Sequence, residues 1–483
     1  MTDIAFYPAR RLASMIRRRK ISCLELLDHY LDRVERLNPS LNAIISTDIP
    51  VARRLALDAD NALAQNHKVG PLHGIPMTVK ESFDVRGLPT TWGVHANRKN
   101  IAKQDAVAVQ RLREAGAIIF GKTNIPIWLA DCQSFNAIYG RTANPWDVKR
   151  TPGGSSGGSA AALSAGLTGF EVGSDIAGSI RNPAAHCGLF GHKPTMGICS
   201  TIGHTLSQNV APIDMLVIGP LARSAGDLDV GLSAIQGLDE IEETGLRLSL
   251  PPPIKKSIEE YKVSILVEDD SVKLSSDVIT LQQELADFLK SSKVEIEVGV
   301  RPDFDANEAH RLYDIMLRAT TSGRQTEEDF SENLKARNAL EPGDDSKWAR
   351  MLRGMTLSHR DWTTINEARH RIRWKWHEFF QKYDLMLTAA TVTTAIPHTD
   401  TPPYERIIPI DGTLQPFMNQ IWLPGYSNFT YLPTTVAPIG FAGDGMPVGV
   451  QIIGPQYSDR TCIHFAGLLE KYYRRFSPPP GYD

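Results

Sequence analysis

The stretch from Thr151 to Arg181 decides how this sequence is read. It opens Thr151-Pro152-Gly153-Gly154-Ser155-Ser156-Gly157-Gly158-Ser159 and closes Gly173-Ser174-Asp175-Ile176-Ala177-Gly178-Ser179-Ile180-Arg181. The four glycines around Ser155 and Ser156 let backbone come close to something small and permit dihedrals closed to other residues. Small residues from Ser159 to Leu167 predict a closely packed helix. Leu167, Phe170 and Val172 then predict a short strand, and the chain runs on toward Pro183-Ala184-Ala185. Ser155 and Ser179 stand 24 residues apart, room for that helix and strand. Ser179 thus falls at a strand-to-helix corner with several free N–H groups, which suits a nucleophile beside an oxyanion site.

Such a serine needs a base. Lys80 lies upstream in His73-Gly74-Ile75-Pro76-Met77-Thr78-Val79-Lys80-Glu81, at the end of a short apolar strand that carries it inward. Burial disfavours the charged form, so a buried lysine can act as a neutral base near pH 7. A lone lysine is ordinarily a surface cation, and spacing alone does not single this one out.

Taken together, the segments around Lys80, Ser155 and Ser179 resemble the amidase signature family, whose members hydrolyse carboxylic amides with a Ser, Ser, Lys triad. The likeness extends to Gly121-Lys122-Thr123-Asn124, Asn144-Pro145-Trp146, Gly191-His192-Lys193-Pro194-Thr195 and Gly445-Met446-Pro447-Val448-Gly449-Val450-Gln451. It is dense from Leu72 to Thr195 and thin between there and the C-terminal segment. The resemblance implies an α/β fold in which a large mixed central β-sheet is flanked by helices on both faces. It implies one domain over 1–483, with 1–66 a helical lead-in and about 300–426 the variable substrate-pocket region. Ser179 would be the nucleophile, Ser155 the proton relay behind a cis Gly154–Ser155 peptide, and Lys80 the ultimate base. The N–H groups of Ile176, Ala177, Gly178 and Ser179 would hold the oxyanion. Leu129 and Asp131 fall where relatives line the acyl pocket, and Ser156, Asp175 and Arg181 would fix the loops. No metal or cofactor is implied. Two departures stand out: Ala177 where many members have glycine, and Ile127 where an acidic residue is often found.

The leading functional expectation is a stand-alone amidase cleaving a small or medium, apolar or aromatic amide. The alternative is the A subunit of a tRNA-dependent amidotransferase. That component typically carries Gly-Leu-Lys-Pro-Thr-Tyr-Gly, against Gly191-His192-Lys193-Pro194-Thr195-Met196-Gly197 here. A non-catalytic binding protein on the same scaffold is a third reading. Two motifs mislead. Gly116 to Thr123 matches the phosphate-cradling G-x-x-x-x-G-K-T, but its middle positions are apolar strand residues preceded by a helix. Gly153 to Gly157 matches the nucleophile elbow, which needs a hydrophobic strand before it, whereas Asn144 to Pro152 is polar.

The chain has 483 residues, 42% hydrophobic and 22% charged, with net charge -3, ample for a large core and no invitation to a polyanion. The run Arg17-Arg18-Arg19-Lys20 reads as a solvated helix end, so no nucleic acid is expected. Five scattered cysteines, Cys23, Cys132, Cys187, Cys199 and Cys462, read as free thiols. No apolar run approaches the roughly 18 residues of a membrane span. The expectation is a cytoplasmic enzyme with no membrane partner, self-associating as a homodimer.

Elsewhere, Ser22 with Glu25 predicts a capping box opening a helix that Pro39 stops, and a second helix follows from Val51 to about Gln65. Asp105 to Ala115 predicts a helix leading into the strand Ala117 to Phe120. A helix is expected over Pro220 to Leu238, a surface excursion over Asp239 to Pro253, a strand over Val263 to Val267 and a helix over Ser275 to Leu289. Ala306 to Phe380 reads as helical and holds Trp348, Trp362, Trp374 and Trp376, which either wall a cavity or fill core. Tyr383 to Ala390 predicts a buried strand and Pro397 to Pro424 a proline-rich loop. Closing strands at Ser427 to Val436 and Pro447 to Ile453 precede a last helix, Asp459 to Tyr472.

Overall fold

Two sheets frame the site in the computed structural model, which describes residues 3–206 and 209–482. The larger is a mixed sheet of eight strands. Their order is Glu295–Val298, Lys262–Ile265, Leu385–Ala389, Pro447–Ile453, Thr434–Phe441, Phe190–Lys193, Val217–Ala222 and Glu171–Asp175. The first three run parallel and the remaining pairings are antiparallel. The central strand Pro447–Ile453 is buried at every residue, which explains why apolar residues stand on both of its faces in place of alternation, with Gln451 its one polar residue.

The smaller sheet has three strands, Ile44–Thr47, Ile118–Thr123 and Pro76–Lys80, with Ile118–Thr123 in the middle. Its outer strand ends on Lys80 and lies against Glu171–Asp175 of the large sheet. The base candidate and the serine corner therefore come from different sheets. The first 66 residues are not helical throughout, because Ile44–Thr47 supplies a strand to this sheet.

Several local expectations are corrected. The helix Cys23–Leu41 opens with the Ser22–Glu25 capping box but runs through Pro39. It stops at Asn42, which takes the left-handed conformation at φ 50°. A proline this near the end removes one N–H bond, and Glu35, whose carbonyl loses that partner, is exposed. Pro220 belongs to the buried strand Val217–Ala222, and the helix begins only at Ala225, capped by Ser224. Pairing with Phe190–Lys193 reaches only Leu221 and Ala222, which makes a proline tolerable in that strand. The Pro397–Pro424 loop contains a hairpin, Ile407–Ile410 with Thr413–Pro416, turned by Asp411 and Gly412 at φ 47° and 74°. That Asp-Gly pair is the local signal for such a turn. Ser427 lies in the helix Trp422–Phe429, and the strand begins at Thr434.

Ala306 to Phe380 forms four α-helices, Ala306–Thr321, Glu327–Asn338, Lys347–Met355 and His359–Phe379. Its tryptophans wall no substrate cavity beside the serines. Trp376 is core, whereas Trp348 and Trp374 are 56% and 67% exposed. The P-loop look-alike is a strand, and the buried Lys122 donates to Thr90 Oγ1 at 2.9 Å. Among the described residues no helix is long and apolar enough to cross a membrane, and the five cysteines are free.

Candidate active site

Lys80 is completely buried at the end of its strand. Its Nζ donates to Ser155 Oγ at 2.7 Å and to Ser174 Oγ at 3.0 Å. Burial lowers the Lys80 pKa to about 7, and the nearby charge of Asp175 only partly opposes that shift. Ser155 follows a cis Gly154–Ser155 peptide. A β-carbon on Gly154 would lie 2.5 Å from the carbonyl oxygens of Asp131 and Gln133, so this backbone approach needs glycine.

The two serine segments are stitched together by Ser156. Its N–H donates to the Ser179 carbonyl at 3.1 Å and its Oγ to the Ser174 carbonyl at 3.4 Å. Ser156 also sits at the N-terminus of the buried helix Gly157–Ser164. Ser179 is 8% exposed and lines a cavity of about 440 Å³ together with Ser155, Ser174, Ile176 and Ala177.

The corner itself is shaped by Asp175. One carboxylate oxygen accepts the Gly178 N–H at 2.8 Å and the other the Ile180 N–H at 3.1 Å. Arg181 grips the same carboxylate at 2.9 and 3.0 Å, with both side chains fully buried. Burial opposes ionisation of Asp175, but Arg181 and the Gly178 N–H outweigh it and hold the carboxyl well below its usual range. The Gly178 N–H is thereby engaged, which removes it from the expected oxyanion donors. Among the described residues the N–H groups of Ile176, Ala177 and Ser179 have no acceptor. Gly178 is needed for its backbone, at φ 97° with a hypothetical β-carbon 2.8 Å from Pro424.

The cavity walls are mostly apolar, with Leu216, Leu317, Met351, Met355 and Met418 among them. Trp92, Trp128 and Leu129 also line it, all with left-handed backbone at φ 53°, 55° and 58°. Bulky residues there carry strain of about 1–3 kcal/mol each, held by the surrounding fold. Asp131 lines the cavity too, but its carboxylate forms a two-point pair with the buried Arg406 at 2.9 and 2.8 Å. It anchors the wall and is not free to meet a ligand. Ile127 is 49% exposed and stands outside the cavity, so that departure from the family pattern bears on the surface. Among the described residues no group of three or more His, Cys, Asp or Glu gathers as a metal site.

A family model described as amidase matches residues 25–463. The chain belongs to the amidase signature family. It is 30% identical to the A subunit of the glutamyl-tRNA(Gln) amidotransferase of Heliobacterium modesticaldum (strain ATCC 51547 / Ice1), over 96% of each chain. The solved A subunit of the glutamyl-tRNA(Gln) amidotransferase of Thermotoga maritima superposes with a TM-score of 0.78 at 25% identity, covering 99% of this chain and 98% of that one. A bacterial aryl acylamidase of the amidase signature family superposes with a TM-score of 0.82 at 22% identity over 99% of each chain, a likeness of fold.

Within this amidase fold, sequence reasoning missed Ser174 as a contact of Lys80. Strand alternation was the available signal, since Ser174 shares a face with Val172 and leaves Asp175 on the other. Arg318, Tyr404 and Arg406 were missed as well, and no local pattern marks them.

Proposed function

We propose that this chain hydrolyses a carboxylic amide through an acyl-enzyme on Ser179. The observation that carries the reading is the 2.7 Å contact between Ser155 and a buried Lys80 whose pKa is near 7. Ser179 Oγ attacks the carbonyl carbon as Ser155 takes its proton and passes its own to neutral Lys80. The oxyanion meets the N–H groups of Ile176, Ala177 and Ser179, each such donor being worth about 3 kcal/mol in related chemistry. The C–N bond then breaks, the amine leaves with a proton returned through Ser155, and water releases the acid from Ser179.

The pH dependence follows from the sign of the Lys80 shift. Below a pKa of about 7 the lysine is protonated and cannot accept the relayed proton, and above it the amine is neutral. We expect kcat/KM to climb through a limb near that value and level off above it. A profile flat between about pH 6 and pH 9 overturns the neutral-lysine base.

Two readings share this chemistry. The apolar cavity supports a free-standing amidase. The amidotransferase relatives, matched over nearly their whole length, support the alternative in which ammonia is released for a partner. His192 does not decide between them, because it is buried against Thr435 and Asp459 at 2.9 and 3.1 Å, away from the cavity lining. The deciding experiment assays the purified chain alone on neutral acyl anilides and on glutamine, with native mass to detect a copurifying protein. Aniline release by the lone chain supports the amidase. Ammonia release from glutamine only with a copurified partner supports the alternative.

A further inference from the structure

One cation of the cavity wall has neither a hydrogen bond nor an ion pair among the described residues. Arg318 lies in the last turn of the helix Ala306–Thr321, half-buried on the cavity wall, with its guanidinium carbon 4.8 Å from the Tyr404 ring centre. Asp314, one turn back, is engaged by Arg350 at 3.5 Å. Stacking on Tyr404 covers one face of the guanidinium and leaves its N–H edge available.

The buried anion and the amides of the same cavity are engaged, and its other carboxylate, Asp329, is exposed to water. Asp131 is held at both oxygens by Arg406. Asp329 caps its own helix by accepting from Thr326 at 3.0 and 2.8 Å, exposed at the rim. The Gln325 side chain donates to the Met355 carbonyl at 2.9 Å and accepts from Asn333 at 2.7 Å. The second cavity arginine, Arg324, also lacks an ion pair among the described residues, but it donates to the Trp128 carbonyl at 2.8 Å and lies exposed to water beside Trp92 and Trp128.

From this balance we infer that the substrate is an amide with an apolar body and a carboxylate that pairs with Arg318, and that it carries no ammonium group. Guanidinium and carboxylate match as a two-point, charge-assisted pair. A zwitterion such as an α-amino acid amide would bring an ammonium into a cavity with no uncommitted buried carboxylate to receive it, an unfavourable burial. Arg318 is then a specificity determinant of the proposed site. The inference rests on the amide-hydrolase reading, and the test keeps the two separable.

The test measures ligand binding to Ser179→Ala protein by calorimetry, using the monoanilide of glutaric acid, its methyl ester and glutamine. The acid is expected to bind roughly 10- to 100-fold more tightly than the ester, with glutamine weaker than either. Arg318→Met, in the same background, is expected to erase the preference by weakening the acid far more than the ester, and Arg318→Lys to restore part of it. Equal binding of acid and ester, a preference that survives Arg318→Met, or glutamine binding as tightly as the acid overturns the inference. Turnover of the ester by the unmutated chain without any acid preference removes the carboxylate and leaves amide hydrolysis standing. Acid preference with no turnover of any anilide removes hydrolysis and leaves the carboxylate site.

Discussion

Ser179→Ala is expected to lower kcat by about 10⁴- to 10⁶-fold and to abolish the single adduct that a fluorophosphonate leaves on the unmutated chain. No neighbour can substitute for the lost oxygen. Ser155 Oγ is committed to Lys80 at 2.7 Å, and Ser174 Oγ accepts from the same amine at 3.0 Å. Ser155→Ala and Lys80→Ala remove the proton path instead and keep the nucleophile, so each should label far more slowly without losing the adduct. Because the three act as a unit, Ser179→Ala combined with Lys80→Ala should fall no further than Ser179→Ala alone. Intact mass checks the adducts and initial rates check the losses. An adduct that persists in Ser179→Ala and vanishes in Ser155→Ala exchanges the roles of the two serines. The fold is not at risk in this comparison, since Ser179 makes no side-chain hydrogen bond among the described residues and removing its oxygen orphans nothing.

What could be read beforehand was what the chain encodes locally. The helix Asp459–Tyr472 and the strand Pro447–Ile453 have the bounds their own apolar patterns dictate. The Ser22–Glu25 capping box is a contact between residues three apart. The serine segments were legible for the same reason, because glycines at Gly154 and Gly178 mark close approach and positive φ within a few residues. The strand Phe190–Lys193 was not read because His192 and Lys193 make it look polar. His192 is satisfied there by Thr435 and Asp459, more than 240 residues away in sequence. The strand Val217–Ala222 was hidden by Pro220. The cavity wall was the least legible part. Arg318 meets Tyr404 and Asp131 meets Arg406 only after the four helices and the hairpin have folded back, and neither pair lies within a window that periodicity can read.

The corner carrying Ser179 depends on a buried ion pair, and its removal is expected to be the costliest single change to stability. Arg181→Met should destabilise the fold by about 3–5 kcal/mol near neutral pH, because it leaves the Asp175 carboxylate buried without its cation. Arg181 also donates to Ser427 Oγ at 2.9 Å, Gln451 Oε1 at 2.7 Å and the Pro424 carbonyl at 3.1 Å, so the loss spreads into the helix Trp422–Phe429 and the central strand. The pH dependence separates the charge from the packing. With Arg181 present the folded pKa of Asp175 lies below its unfolded value, so that contribution is present above about pH 4 and is lost in acid. With Arg181 replaced, burial dominates and the folded pKa rises above the unfolded value. The variant then recovers stability as falling pH protonates the carboxyl. The gap in urea midpoint between the two proteins should therefore be widest near neutrality and narrow toward about pH 4 to 5. Adding Asp175→Asn to Arg181→Met removes the orphaned charge and should close part of the gap at neutral pH. A gap independent of pH and untouched by Asp175→Asn assigns the loss to packing alone and denies the ion pair its role in holding the corner.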